Sequence, residues 1–131
     1  MAKLVSEDNS IIVECVGQGE TEIDLMVKVK SYGTEMSFLL TTDKDDFKTF
    51  LELLRQSNAN IIGMAELKQR FEDKRISFKV DGVGEGRVIV AGNNSAYRHK
   101  GNDYHFKFIA DQKALVQFIW QLHEINLDNK Q

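Results

Sequence analysis

Two matching segments dominate the pattern of apolar and polar positions. In each, a short apolar run leads into an aspartate and then into an amphipathic stretch. Residues 38–54 align over residues 106–122 without a gap, at a spacing of 68 residues. After the aspartates, apolar residues recur at Phe47, Phe50, Leu51 and Leu54, and at Leu115, Phe118, Ile119, Leu122 and Ile125. This i, i+3, i+4, i+7 spacing predicts one helix near 44–57 and another near 112–126.

An aspartate stands immediately before each predicted helix, at positions 43 and 111. An aspartate at this position accepts hydrogen bonds from the free N–H groups of the first turn and suits the positive end of the helix dipole. We therefore interpret Asp43 and Asp111 as N-caps rather than as a pair of catalytic carboxylates.

Alternating apolar and polar residues predict strands upstream of each helix. In the first half these lie near 3–6, 10–16, 22–29 and 35–42, and in the second half near 64–71, 75–80, 87–91 and 103–110. Each unit then has three or four antiparallel strands followed by one helix. Because one helix cannot cover such a sheet, the units are expected to share a core.

The predicted fold is therefore an α+β tandem duplication in a single domain. The domain spans residues 1–131, with repeat 1 at about 3–58 and repeat 2 at about 63–126.

The composition of the chain predicts its cellular location and shows that charge is distributed unevenly between its two halves. The chain has 131 residues, 42% of them apolar, with one cysteine, Cys15, and no apolar run of membrane-spanning length. It begins without an apolar leader segment, so we expect a cytoplasmic protein without membrane contact. Residues 1–59 carry 6 Lys/Arg against 11 Asp/Glu, whereas residues 60–131 carry 11 against 9. We interpret this imbalance first as a solvated surface, with an acidic face for a basic partner as the alternative. An acidic chain is in either case a poor binder of nucleic acid.

No motif in the sequence indicates catalysis. The glycines of residues 82–86 precede a strand, whereas a dinucleotide-binding loop must open a helix. His99, His105 and His123 fall in a loop, a strand and a helix end, without the spacing of metal ligands. We predict a non-enzymatic binding protein with no cofactor and no metal.

Two surface features remain as interaction candidates. Tyr97 and Arg98 lie at the centre of the long polar loop 92–102, and both residue types are common in interfaces. Trp120 occupies the helix position at which the first repeat has Glu52. Since large aromatic residues usually join the core, we expect Trp120 to be buried, with an exposed apolar patch as the alternative.

Several short motifs, in their order along the chain, resemble those of the WapI-type bacterial immunity proteins and related small bacterial domains. They lie at residues 62–67, 78–82, 86–92 and 106–112. These proteins share a "G-x-A-x-L" step, a "D-x-x-G-x-V-x-V-x-G" strand pair and an "F-x-F-x-x-D-Q-x-x-L" helix entry. Here Ala110 stands where threonine is usual. The resemblance spans about residues 14–125 and rests mainly on structural positions.

The resemblance implies an immunity protein that binds and neutralises the C-terminal domain of a bacterial toxin, for which a nuclease is one candidate. An acidic surface would complement the basic substrate surface of a nuclease. The candidate interface comprises Glu20, Glu22, Asp24, Asp43, Asp45, Asp46, Glu52, Tyr97, Arg98 and Trp120. The sequence does not determine the oligomeric state.

The tandem architecture also resembles the PUR and Whirly domains, which bind single-stranded nucleic acid by stacking bases on aromatic residues over a basic sheet. The candidates for such contacts are Tyr32, Tyr97, Tyr104, Arg98, Lys100 and Lys107. The net charge of −3 argues against this alternative. A third possibility, a cleft for a small molecule, depends on groups that converge only in the fold.

Overall fold

The computed structural model describes residues 1–69, 73–82, 87–95, 104–125 and 127, and consists of two four-stranded antiparallel sheets, each followed by a helix. The first sheet contains β1 (Ala2–Ser6), β2 (Asn9–Gln18), β3 (Glu22–Ser31) and β4 (Thr34–Asp43), followed by α1 (Lys44–Asn60). The second contains β5 (Gly63–Lys68), β6 (Asp73–Asp81), β7 (Arg87–Ser95) and β8 (Tyr104–Asp111), followed by α2 (Gln112–His123). The predicted α+β duplication is confirmed, with four strands in each unit.

Each sheet is a simple meander with a buried and an outer face. The strand orders are β1-β2-β3-β4 and β5-β6-β7-β8, with every neighbouring pair antiparallel. Along β3, the apolar residues Ile23, Leu25, Val27 and Val29 are buried. The alternating residues face outward, as the period of two requires.

Strand β7 extends beyond its predicted end at residue 91 and reaches Ser95. The reason is a polar anchor that local sequence did not indicate. Asn93 is buried on the outer face, where its side chain accepts a hydrogen bond from Arg75 Nε at 2.6 Å and donates one to the Asp73 carbonyl at 2.8 Å. These bonds hold β7 against β6 through a segment whose polar sequence predicts a loop.

The two helices begin where predicted, but their N-caps differ. Asp111 accepts a hydrogen bond from the Ala114 amide at 2.9 Å, as expected for a cap. Asp43 is the N-cap residue of α1, as predicted, but its side chain makes no cap hydrogen bond, so the predicted bond is wrong. The Lys44 amide instead donates to the Thr21 carbonyl at 2.8 Å, which ties the first turn of α1 to the β2–β3 loop.

Each helix packs against the sheet of the other unit, so that the two repeats share one core. Helix α1 packs mainly against β5 of the second sheet, and α2 packs mainly against β1 of the first. Phe50 of α1 contacts Phe78 of β6 with ring centroids 5.9 Å apart, and Phe78 contacts Phe118 of α2 at 5.1 Å. The Gln112 side chain also donates to the Asn58 carbonyl at 2.9 Å, linking the two helices directly.

Candidate functional site

The strand register places several acidic residues, predicted as interface candidates, together at one end of the first sheet. Glu22 on β3 lies opposite Asp43 on β4, and Asp24 lies opposite Thr41. Cross-strand partners project from the same face, so these three carboxylates share the outer face of the sheet. The Thr41 hydroxyl donates to Asp24 Oδ1 at 2.8 Å, which fixes the orientation of that carboxylate.

The β2–β3 loop and the start of α1 add further carboxylates beside this edge. The Lys44–Thr21 hydrogen bond holds the loop that carries Glu20 against the first turn of α1, which carries Asp45 and Asp46. All three side chains are exposed. We call the assembled surface the acidic end and define it as Glu20, Glu22, Asp24, Asp43, Asp45 and Asp46.

Glu52 does not belong to the acidic end, although its charge made it a candidate for the same interface. It lies about 10 Å along the helix axis from Asp45. Arg55 Nη2 donates to both of its carboxylate oxygens, at 2.8 and 2.9 Å. Hydrogen bonds from Arg55 and Gln56 lower the pKa of Glu52 below its ordinary value. The negative charge is therefore compensated locally and contributes little to an acidic surface.

Trp120 is 70% exposed, so the prediction of a buried tryptophan is wrong. The buried stripe of α2 is already supplied by Leu115, Phe118, Ile119 and Leu122. Trp120 projects beyond that stripe beside a groove of about 360 Å³. The groove is lined by Arg55, Asn58, Val116, Ile119, Trp120 and His123.

The outer face of the second sheet carries a basic surface that the sequence pattern did not reveal. Register places Lys68 beside Arg75, and Lys79 and Lys107 on the same face. We call these four cations together with Arg87 the basic face. Alternation in each strand indicated which residues point outward, but only the register brings the four strands into one surface.

Carboxylates on the same sheet face reduce its positive charge. Those that the register places among the cations are Glu66, Asp73, Asp81 and Asp111. Arg87 pairs with Asp81 at 2.7 Å. Arg75 lies 3.7 Å from Asp73 and 4.0 Å from Glu66, measured between charged atoms. The positive charge that remains is therefore carried mainly by the lysines.

A shallow groove of about 440 Å³ crosses the basic face. Its lining includes the small residues Ser77 and Ala91 and the larger residues Arg75, His105 and Lys107. Because Ser77, Ala91 and Lys107 lie opposite one another on neighbouring strands, the groove spans β6, β7 and β8.

Among the remaining candidates, Tyr32 and Tyr104 are 74% and 48% exposed, and others lie outside the described residues. Tyr97 and Arg98, like His99 and Lys100, lie outside the described part of the chain. Within the described ranges, no group of three or more His, Cys, Asp or Glu side chains is placed to hold a metal ion. Cys15 is half-buried against the core.

No helix among the described residues has both the length and the apolar character needed to cross a membrane. No protein-family model, curated protein or solved structure matches the chain. The resemblance to WapI-type immunity proteins therefore remains a prediction based on the motifs themselves, and the site is described by its own chemistry.

Proposed function

We propose that the protein is a non-catalytic binding protein whose acidic end binds a basic protein. Following the resemblance of its motifs, we propose that this partner is the C-terminal domain of a bacterial toxin, which the protein neutralises. The observation that supports the proposal is the meeting of carboxylates from three separate segments on one surface. Glu22 opposes Asp43, and the Thr21–Lys44 hydrogen bond brings the loop to the helix start.

Concentrating like charge at one end of a folded domain opposes folding through self-repulsion and favours encounter with a cationic partner. Along β3 the outer face changes sign, from Glu22 and Asp24 at the acidic end to Lys28 and Lys30 at the other end. Because Glu35 lies opposite Lys30, the charges at that other end largely balance, and a basic partner is attracted mainly to the acidic end. Such complementarity mainly accelerates association and fixes orientation, and its effect declines with added salt.

The test begins with capture of host proteins on the tagged full-length chain. A captured protein should arrest growth when expressed alone and lose that effect when the chain is co-expressed. Failure to capture a stoichiometric protein partner, or capture of one that is harmless alone, would contradict neutralisation.

Matched charge reversals then locate the contact. Glu20→Lys with Glu22→Lys changes the acidic end at exposed positions, and Asp8→Lys with Glu35→Lys makes the same change in charge at exposed positions toward the other end of the sheet. We expect the first variant to slow association with the captured partner about 10-fold or more at low salt, and the control to change it little. Equal effects of both variants would exclude the acidic end as the contact surface.

The basic face supports a second candidate function, the binding of single-stranded nucleic acid. Lys68, Lys79 and Lys107 share one outer sheet face with a groove between strands, and cations of this kind neutralise phosphates. The groove of this face is bordered by the rings of His105 and the largely buried Phe106, so base stacking would add less than on a face with several exposed aromatic rings.

Fluorescence anisotropy with a labelled oligothymidylate at several salt concentrations tests this candidate. If it is correct, Lys79→Glu with Lys107→Glu weakens binding and reduces the salt slope by about 1 for each phosphate that no longer has a neutralising cation. The control Lys48→Glu, on the exposed surface of α1, should leave the slope unchanged. Absence of binding at low salt would eliminate the candidate.

A further inference from the structure

The exposed side of the helix pair presents an apolar feature that the fold does not require. Trp120 is 70% exposed and Val116 is 37% exposed, although the buried stripe of α2 is complete without them. At the matching positions α1 has Glu52 and Lys48, and this helix also packs against a sheet. Folding therefore accounts for neither apolar side chain.

We propose that this side of the helix pair binds a second copy of the chain in a weak two-fold dimer. We call the surface the helix face and define it by Glu52, Arg55, Val116, Trp120 and His123. The proposal is independent of the function proposed for the acidic end, because it uses none of the residues of that surface.

The shape of the helix face favours a second copy over an unrelated partner. A two-fold contact uses the same patch on both subunits, so the patch must supply both a projection and a recess. Here the projecting indole of Trp120 stands at the rim of a groove of about 360 Å³. The groove walls include Val116 and Ile119, which are apolar partners for an aromatic ring. Each copy can therefore place its Trp120 in the groove of the other.

The charges of the helix face also permit self-association. Glu52 and Arg55 form an ion pair at 2.8 Å, so two copies of this pair do not repel each other as two like charges would. The guanidinium of Arg55 also lines the groove, where an incoming indole face meets it in a cation–π contact. The basic partner proposed for the acidic end gains no comparable attraction from this locally compensated surface.

The size of the helix face sets the expected strength of the dimer. The helices have 17 and 12 residues. Without the first turn of α1, which belongs to the acidic end, the two helices side by side offer a footprint of roughly 20 by 20 Å. This area of about 400 Å² per subunit lies below the roughly 800 Å² of a standard interface. We therefore expect a weak dimer that forms only at high protein concentration.

Trp120 is the only tryptophan of the chain, which makes its fluorescence a direct reporter of the proposed contact. Sedimentation equilibrium and tryptophan emission should be measured on the full chain from about 1 to about 300 µM. We expect a dimer at high concentration, with a blue shift of the emission and weaker quenching by acrylamide over the same range. A monomer throughout, or emission independent of concentration, would overturn the proposal.

A matched pair of variants tests the location while retaining the reporter. Val116→Glu places a charge in the groove wall, and Leu53→Glu places one on an α1 residue of similar exposure, 41%, outside the groove. We expect Val116→Glu to stay monomeric at every concentration and Leu53→Glu to dimerise like the wild type, with unchanged far-ultraviolet circular dichroism and Tm in both. Equal association by both variants would overturn the proposal. An emission shift seen only when the captured protein partner is added would assign the helix face to that partner instead.

Discussion

At the scale of single residues, Gly63 shows most directly how a tertiary contact constrains the sequence. It lies at the start of β5 with φ of +141°, a backbone conformation that residues with a side chain rarely adopt. A Cβ atom at this position would lie 2.5 Å from Ser57 Oγ and 3.0 Å from Ser57 Cβ. Because Ser57 is buried on α1, it has no free space to move into.

Gly63→Ala should therefore lower the free energy of unfolding by about 2 to 4 kcal/mol, through backbone strain and the clash with Ser57. Chemical denaturation is the measurement. Gly19→Ala is the matched control, because an added Cβ there meets no atom within 4 Å and Gly19 is not at positive φ. The control should change the free energy of unfolding by less than about 1 kcal/mol. Equal losses in the two variants would show that the Ser57 contact is not the cause.

Glu52 provides a prediction for pH dependence. The hydrogen bond from Arg55 lowers the pKa of Glu52 in the folded state, so this carboxylate stabilises the fold above its unfolded pKa of about 4.3. The contribution is lost as the pH falls through the lower, folded-state pKa. Glu52→Gln should therefore be slightly less stable than the wild type at pH 7, and the difference should close as the pH falls below the folded-state pKa. Denaturation at several pH values tests this, with Glu35→Gln as an exposed control; a difference that does not change with pH would contradict it.

At the scale of elements, the two helix starts show that the same residue in the same pattern can act differently. Asp111 and Asp43 both end a strand and precede a helix. Only Asp111 makes the side-chain cap bond, to the Ala114 amide. The first turn of α1 is instead anchored by the Thr21 carbonyl, a contact from a loop that is distant in sequence. The pattern located both helices, and tertiary context determined the role of each aspartate.

Asp111→Ala should lower the free energy of unfolding by about 1 kcal/mol, because it removes the acceptor for the Ala114 amide. Asp111→Asn retains an acceptor oxygen and should remain close to the wild type. Thermal denaturation of both variants measures the difference. A large loss of stability in the asparagine variant would show that the negative charge, rather than the cap bond, stabilises this end of α2.

At the scale of the whole molecule, the two units form one core because each helix packs against the sheet of the other unit. Helix α1 covers the sheet that follows it in sequence, and α2 covers the sheet of the first unit. Phe78 of the second sheet packs between the helices of both units, because it contacts Phe50 on α1 and Phe118 on α2. Neither unit can bury its sheet face without the other.

The chain should therefore unfold in a single cooperative transition, with equal calorimetric and van't Hoff enthalpies. Phe78→Ala should reduce the free energy of unfolding by about 3 to 5 kcal/mol while the transition remains single, because the ring that it removes packs against helices of both units. Phe78→Leu, which fills more of the cavity, should cost less. Two separate transitions in the wild type or in the alanine variant would contradict a shared core.

The elements of the fold were largely predictable, because their signals are local. Both helices and three or four strands in each unit follow from periodicity in short windows, and the duplication follows from the alignment of the two halves at a spacing of 68 residues. The candidate surfaces were predictable only in part. Glu22 and Asp43 were acidic candidates by charge alone, their pairing depends on strand register, and the basic face depends on register across four strands. Trp120 was misplaced, because the helical stripe does not show how far the opposing sheet extends.

The sequence by itself determined most of the inward-facing residues and the approximate positions of the strands and helices, because burial alternates with a period of 2 in strands and about 3.6 in helices. Only the tertiary structure decided which helix covers which sheet, which carboxylates meet at the acidic end, and that Trp120 faces outward beside a groove. These are contacts between residues far apart in sequence, and their energies depend on packing and register rather than on local pattern. The surfaces available for binding are accordingly a property of the assembled fold.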